Sequence, residues 1–215
     1  VSFSLPDGSK VLISNGFGSA ITVSAASNAN PAQLTATAHG LSNGAEFLFS
    51  SGWEEANDTP FRAASVATNT LNAEGLDTSD TTWFPAGTGT GTIQAVTGWT
   101  EIQQITDISM NGGDPKFATV ALLSRRRDIS LPAGFNAMTC SVTLADDPAL
   151  AGQIALKTAS RTTAKRMFKI IMAGSGPAYF YGHVSFNDMP LLRKGNANTV
   201  QASISILGNF TRYAS

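Results

Sequence analysis

A chain of 215 residues and 22.4 kDa suits one domain, or one domain carrying a small insert, and as a folded monomer it exposes about 9,400 Å² against about 32,000 Å² unfolded. Only 13% of the residues are charged, roughly half the usual share, so the surface rests on Ser, Thr, Asn, Gln and Gly or is covered by partners. No apolar run reaches the ~18 residues of a membrane span, Val1–Lys10 lacks the basic-then-apolar pattern of a signal peptide, and one cysteine with two histidines excludes an internal disulfide and argues against a Cys/His zinc site.

The net charge of −1 hides two halves of opposite sign. Residues 1–110 carry ten acids and two bases, a balance of −8, whereas residues 111–215 carry five acids and twelve bases, a balance of +7. This split fits either a polar assembly or two separately solvated surfaces. A sequence pI of about 6.1 does not suit a compact basic DNA-binding module.

In chain order, Lys10–Ser14 reads as a first strand. Asn15-Gly16-Phe17-Gly18-Ser19-Ala20-Ile21 begins like a dinucleotide fingerprint, but Ile21 takes the third glycine position and strand residues follow, which removes the helix start that holds a phosphate. Residues 20–95 are rich in Ala, Thr, Asn, Ser and Gly, with Arg62 as their one base, and turn signals recur at Asn28–Pro31, His39-Gly40, Asn43-Gly44, Glu74-Gly75 and Pro85–Gly87. Short apolar stretches between those turns predict a small all-β module inserted into a main β domain of residues 1–19 and 96–215. The Gly87–Thr92 run reads as a loop or edge strand.

Thr92–Val96, Glu101–Ile108 and Phe117–Leu123 are further strand candidates. Arg125-Arg126-Arg127-Asp128 is the densest charge cluster and reads as a loop that docks on an acidic neighbour. Met138, Cys140, Val142 and Leu144 alternate with Thr139, Ser141 and Thr143, and Val200, Ala202, Ile204 and Ile206 alternate with Gln201, Ser203 and Ser205. Each predicts a strand with one buried and one polar face. Between them, Asp147 as N-cap and Pro148 at the first position predict one helix over 148–159, with Leu150 and Ile154 on its apolar side. Phe168, Ile170 and Met172, then Phe180, Gly182, Val184 and Phe186, continue the strand pattern more loosely.

No nucleophile elbow or phosphate loop is present, and neither histidine has a sequence-adjacent partner for acid–base work. His39 reads as a turn residue, His183 as part of a polar strand face, and Cys140 as a buried small hydrophobe. No cofactor site is expected. Trp53, Trp83 and Trp99 read first as singly packed aromatics; exposed together they would stack on sugars, giving a second reading as a carbohydrate- or receptor-binding module.

The order of Phe117–Arg166 resembles the tail tube (major tail) proteins of long-tailed, lambda-like bacteriophages: a strand, an arginine-bearing loop ending in Leu131-Pro132-Ala133-Gly134, a strand, Asp146-Asp147-Pro148, a short helix, then Ser160-Arg161-Thr162-Thr163 leading into a strand. The opening Leu5-Pro6-Asp7-Gly8-Ser9-Lys10 is similar to the start of such proteins. Asn30-Pro31, His39-Gly40-Leu41-Ser42-Asn43-Gly44, Ser51-Gly52 and Phe61-Arg62 resemble a small β module of phage virion proteins.

The resemblance implies a mainly β chain, an antiparallel β-sandwich or barrel core with one flanking α-helix. It implies homo-hexameric rings stacked into a tube around genomic DNA and the tape-measure protein. Tail terminator and distal tail proteins would close the ends. The site would be the virion tail, assembled in the host bacterial cytoplasm, with no membrane partner. On that reading Thr139, Ser141, Thr143, Gln201, Ser203 and Ser205 are candidates for the channel wall, because cationic walls would hold each phosphate and neutral ones let DNA slide. The inserted module would lie outside.

Overall fold

The computed structural model describes residues 7–214, so Leu5 and Pro6 of the opening motif lie outside it. The strands are β1 (Lys10–Ser14), β2 (Ile21–Val23), β3 (Ala25–Ala26), β4 (Gln33–Thr35), β5 (Glu46–Ser51), β6 (Thr59–Ala64), β7 (Thr70–Ala73) and β8 (Gly91–Ala95). They continue as β9 (Trp99–Ile102), β10 (Ile105–Asn111), β11 (Pro115–Val120), β12 (Ile129–Phe135), β13 (Thr139–Ala145), β14 (Lys165–Ile171), β15 (Ala178–Leu191) and β16 (Thr199–Arg212). One α-helix, α1 (Ala151–Arg161), lies between β13 and β14. The chain is mainly β, and its strand pairs are antiparallel.

The first sheet has seven strands in the order β10-β13-β16-β15-β14-β1-β9. Its edges are sequence neighbours. The expected single strand Glu101–Ile108 is broken at Gln103-Gln104, where Gln104 adopts φ 57°, and the two pieces become opposite edges of the sheet. Three residue steps separate Ile102 from Ile105, which holds those edges within about 11 Å at that end. The sheet therefore curls into a near-barrel. One core fills it, drawn from Ile13, Ile102, Val142, Leu144, Phe168, Phe180, Ile204 and the helix residue Leu156. Phe168 and Phe180 stack with centroids 5.1 Å apart. Each such large apolar side chain stabilises by about 1.5–3 kcal/mol when fully buried.

The helix starts later than the sequence predicts. Asp147 does not cap it. Its Oδ1 accepts from Ala149 N at 3.1 Å and its carbonyl from Leu150 N at 3.1 Å, so Asp147 and Pro148 form a turn ahead of the helix. Leu150 takes the N-cap position with no side-chain cap. The buried face is Gly152, Gln153, Leu156 and Ala159, and Ile154 points to solvent. Close approach explains the choice of face. A Cβ on Gly152 would lie 2.7 Å from both the Glu101 carbonyl oxygen and the Ile102 Cα, so only glycine lets the helix seat against β9.

The second sheet has the order β2-β8-β5-β6-β7-β4-β3 and a separate core of Leu34, Phe47, Phe49, Trp53, Phe61, Leu71 and Ile93. Residues 87–90 of the Gly87–Thr92 run are loop, as expected, and its last two residues open β8, which lies between β2 and β5 as an interior strand. Gly89 lines Trp53: a Cβ there would sit 2.5 Å from the indole ring.

Candidate functional site

The strand register joins the candidate wall residues directly. Thr139 stands opposite Ser205, Ser141 opposite Ser203, and Thr143 opposite Gln201. β15 extends the row, with His183 opposite Ser205, Ser185 opposite Ser203 and Asn187 opposite Gln201. β10 extends it on the other side with Asp107, Ser109 and Asn111. The intervening residues, Cys140, Val142, Leu144, Val200, Ala202 and Ile204, all face the core. The result is a hydroxyl- and amide-rich face four strands wide. Its charged members are Asp107 and, beyond β15, Lys165, which stands opposite His183 and is ion-paired to Asp58 at 3.5 Å.

Farther along the same sheet face the second sheet is docked. Met167, Tyr179, Tyr181 and Tyr213 of the first sheet and its tail bury against Leu48, with Phe17, Val96 and Trp99 at the margin. The joint is strongly polar around this apolar patch. Glu46 accepts from Lys169 Nζ at 2.6 Å, Tyr179 OH at 2.7 Å and Trp99 Nε1 at 2.5 Å. Tyr213 OH donates to the Glu74 carbonyl at 3.1 Å and accepts from Arg62 N at 3.0 Å, while its ring lies under the Arg62 guanidinium at 4.5 Å. Arg62 in turn holds Glu74 by a two-pronged ion pair, which keeps that carboxyl below the usual range, chiefly through the hydrogen bond. Burial, with Glu46 beside it, pushes the Tyr179 hydroxyl far up. Part of the −8/+7 charge split is thus internal: Glu46–Lys169 and Asp58–Lys165 join the two sheets.

The arginine cluster sits at the tip of an arm. What reads as a loop ending in Leu131–Gly134 is instead strand β12, which pairs only with β11. Pro132 is tolerated there because a two-stranded ribbon leaves half its backbone groups unpaired. Arg125, Arg126, Arg127 and Asp128 form the turn, all exposed, and make no ion pair among the described residues. Phe117, Leu122, Leu131 and Phe135 are exposed along the arm, and Leu123 is fully so. A lone two-stranded hairpin is marginal in water. The whole chain exposes 12101 Å², well above the about 9,400 Å² of a compact monomer of its mass.

Other sequence candidates fall elsewhere. Trp53 is buried at 1% exposure and its Nε1 donates to the Pro85 carbonyl at 2.9 Å, so it is a packed aromatic that cannot stack on a ligand, and the three tryptophans form no shared platform. Trp99 is committed to Glu46, and Trp83 alone is exposed. His39 serves its turn: Nδ1 accepts from Leu41 N at 3.1 Å and Nε2 donates to the Ala67 carbonyl at 2.8 Å. Cys140 is buried, which pushes its thiol up to about 11. No group of three or more metal-binding side chains gathers among the described residues. No helix there is long and apolar enough to cross a membrane. Sequence reasoning missed Glu46 and Tyr213, whose side chains hydrogen-bond to partners 53 or more residues away, which leaves no local pattern.

Fold and surface together define a class, a mainly β chain with a polar sheet face and a projecting two-stranded arm. Residues 51–215 match the model of a family described as "Phage tail tube protein, TTP". The chain therefore belongs to the phage tail tube protein family, and it is a structural component of a virion tail that assembles into a tube with other tail proteins. No curated protein matches the chain in sequence.

Proposed function

We propose that this chain forms rings of six copies that stack head to tail, with the face of Thr139, Ser141, Thr143, Gln201, Ser203 and Ser205 turned to the channel. The ring number comes from the resemblance to tail tube proteins. One observation carries the channel assignment: cross-strand register gathers these uncharged side chains into one continuous wall. Such a wall offers DNA no fixed cations to bind phosphate. The tape-measure protein occupies the channel before the genome does. Tail terminator and distal tail proteins cap the ends, and assembly takes place in the host bacterial cytoplasm.

The domain division supports the same reading. Residues 20–95 act as an inserted module on a body of 1–19 and 96–215, and the module lies away from the channel. Module and wall residues share a sheet face, and the separation runs along the strands: β16 carries Gln201, Ser203 and Ser205 toward one end and meets the module at Asn209 and Thr211 toward the other.

Negative-stain microscopy of the purified protein tests the proposal. Rings and tubes with an axial channel are expected. Monomers alone, across salt and concentration, would overturn it.

A further inference from the structure

An apolar groove of about 400 Å³ opens between the second sheet and the base of the arm, lined by Leu76, Trp83, Phe84 and Phe135 with Glu55 and Asn209 at its sides. Trp83 is 62% and Phe135 75% exposed, an unusual outlay for two large aromatics on one surface. One lining residue, Glu55, is acidic; Glu54 and Asp77 are chain neighbours of lining residues, and the Asp80 carbonyl accepts from Phe84 N at 3.0 Å. All four carboxylates are exposed, and none makes an ion pair among the described residues. The arm tip is the chemical counterpart, with exposed Leu122 and Leu123 next to three arginines.

The tip cannot reach the groove of its own chain. Phe135 lines the groove and is also the last residue of β12, whose strand runs outward to Ile129. At about 3.4 Å per residue that is about 20 Å, and the arginines lie beyond. The occupant with matching charge and apolarity is therefore the same tip on another copy. A contact of tip on one subunit with groove on the next uses two different patches, so it repeats from copy to copy, as a head-to-tail assembly requires.

We infer that the Trp83–Phe135 groove is the seat for the Leu122–Arg127 tip of a second copy of this chain. The inserted module then takes part in polymerisation rather than only decorating the tube. This inference rests on the tube reading above. Leu123 would fill the groove against Trp83, and the arginines would face Glu55 and the carboxylates near it, where opposite charge steers the approach and sets register.

Cysteine cross-linking with full-length chains tests it. A Trp83→Cys chain and a Leu123→Cys chain are each diluted into native protein, mixed, assembled and oxidised; buried Cys140 stays silent. A Trp83–Leu123 heterodimer is expected in tubes, and none between Leu123→Cys and Ile154→Cys on the exposed side of the helix. Tubes without the first heterodimer, or with the second in equal yield, overturn the groove assignment and leave the tube reading standing. Native protein that forms no tubes overturns both. A charge swap gives a second readout. Glu55→Arg and Arg126→Glu should each raise the protein concentration needed for tubes about tenfold, and together restore it. Failure of the pair to recover overturns the contact.

Discussion

Glu46 is the strongest single lever on the joint between the two sheets. Its side chain is 14% exposed and that of Lys169 21%. Replacing Glu46 with alanine removes the acceptor for Lys169, Tyr179 and Trp99 at once and leaves an ammonium beside the Trp99 and Tyr179 rings at 5.8 and 5.6 Å without its anion. A hydrogen bond to a charged group contributes about 1.5–3 kcal/mol, and breaking a buried pair from one side costs about 3–5 kcal/mol. Because water still reaches both groups, the expected loss for Glu46→Ala is about 3 kcal/mol. That is a large fraction of the about 5–15 kcal/mol that holds a domain folded. Urea unfolding followed by circular dichroism measures it, with Glu46→Leu/Lys169→Met as the paired control, which should recover the part due to the unpaired ammonium and not the part due to the Tyr179 and Trp99 donors left without their acceptor. A Glu46→Ala loss below about 1 kcal/mol would refute the latch, because a joint held by the tyrosine patch alone needs no carboxylate.

Replacing Arg125, Arg126 and Arg127 together by alanine should abolish tube formation while thermal unfolding of the subunit stays unchanged, since the tip makes no ion pair among the described residues. Ser141→Arg with Ser203→Arg, which stand opposite each other, should cost about 0.2–1 kcal/mol of subunit stability through like-charge contact and still permit tubes, but slow DNA passage in a salt-dependent way in an ejection assay. Gly152→Leu should lower stability by about 1–3 kcal/mol in a thermal melt, because the added side chain meets the β9 backbone. Alkaline titration should show stability falling as pH rises past about 10. Burial holds the hydroxyls of Tyr179, Tyr181 and Tyr213 above that value, with Tyr181 at about 12, so the unfolded chain loses these protons first. Below about pH 10 the same tyrosines are neutral in both states and contribute no slope.

Period-two alternation carried the legible part of the fold. The run from Thr139 to Leu144 and that from Val200 to Ile206 each declared a buried and a polar face, and the strands follow that division. What the chain hid were decisions made at a distance. The break at Gln104 depends on one backbone torsion, and the late helix start depends on how close Gly152 must come to β9. Strand β12 looked like loop because Pro132 and Gly134 belong to an unsupported ribbon, where no core imposes a pattern. Trp53 stayed open to a ligand-platform reading because sequence shows a ring but not the Gly89 backbone packed on it. The polar sheet face was readable strand by strand. That its members pair in register, and that a carboxylate 123 residues from Lys169 ties down the neighbouring sheet, needed three dimensions.

A cryo-electron reconstruction of assembled tubes tests the central claim most directly. The account predicts a ring whose innermost wall is formed by the β13 and β16 faces, with Ser141 and Ser203 toward the axis and the residue 20–95 module at larger radius. A tube whose axis is lined instead by the module, or by the arginine tip of the arm, would contradict it.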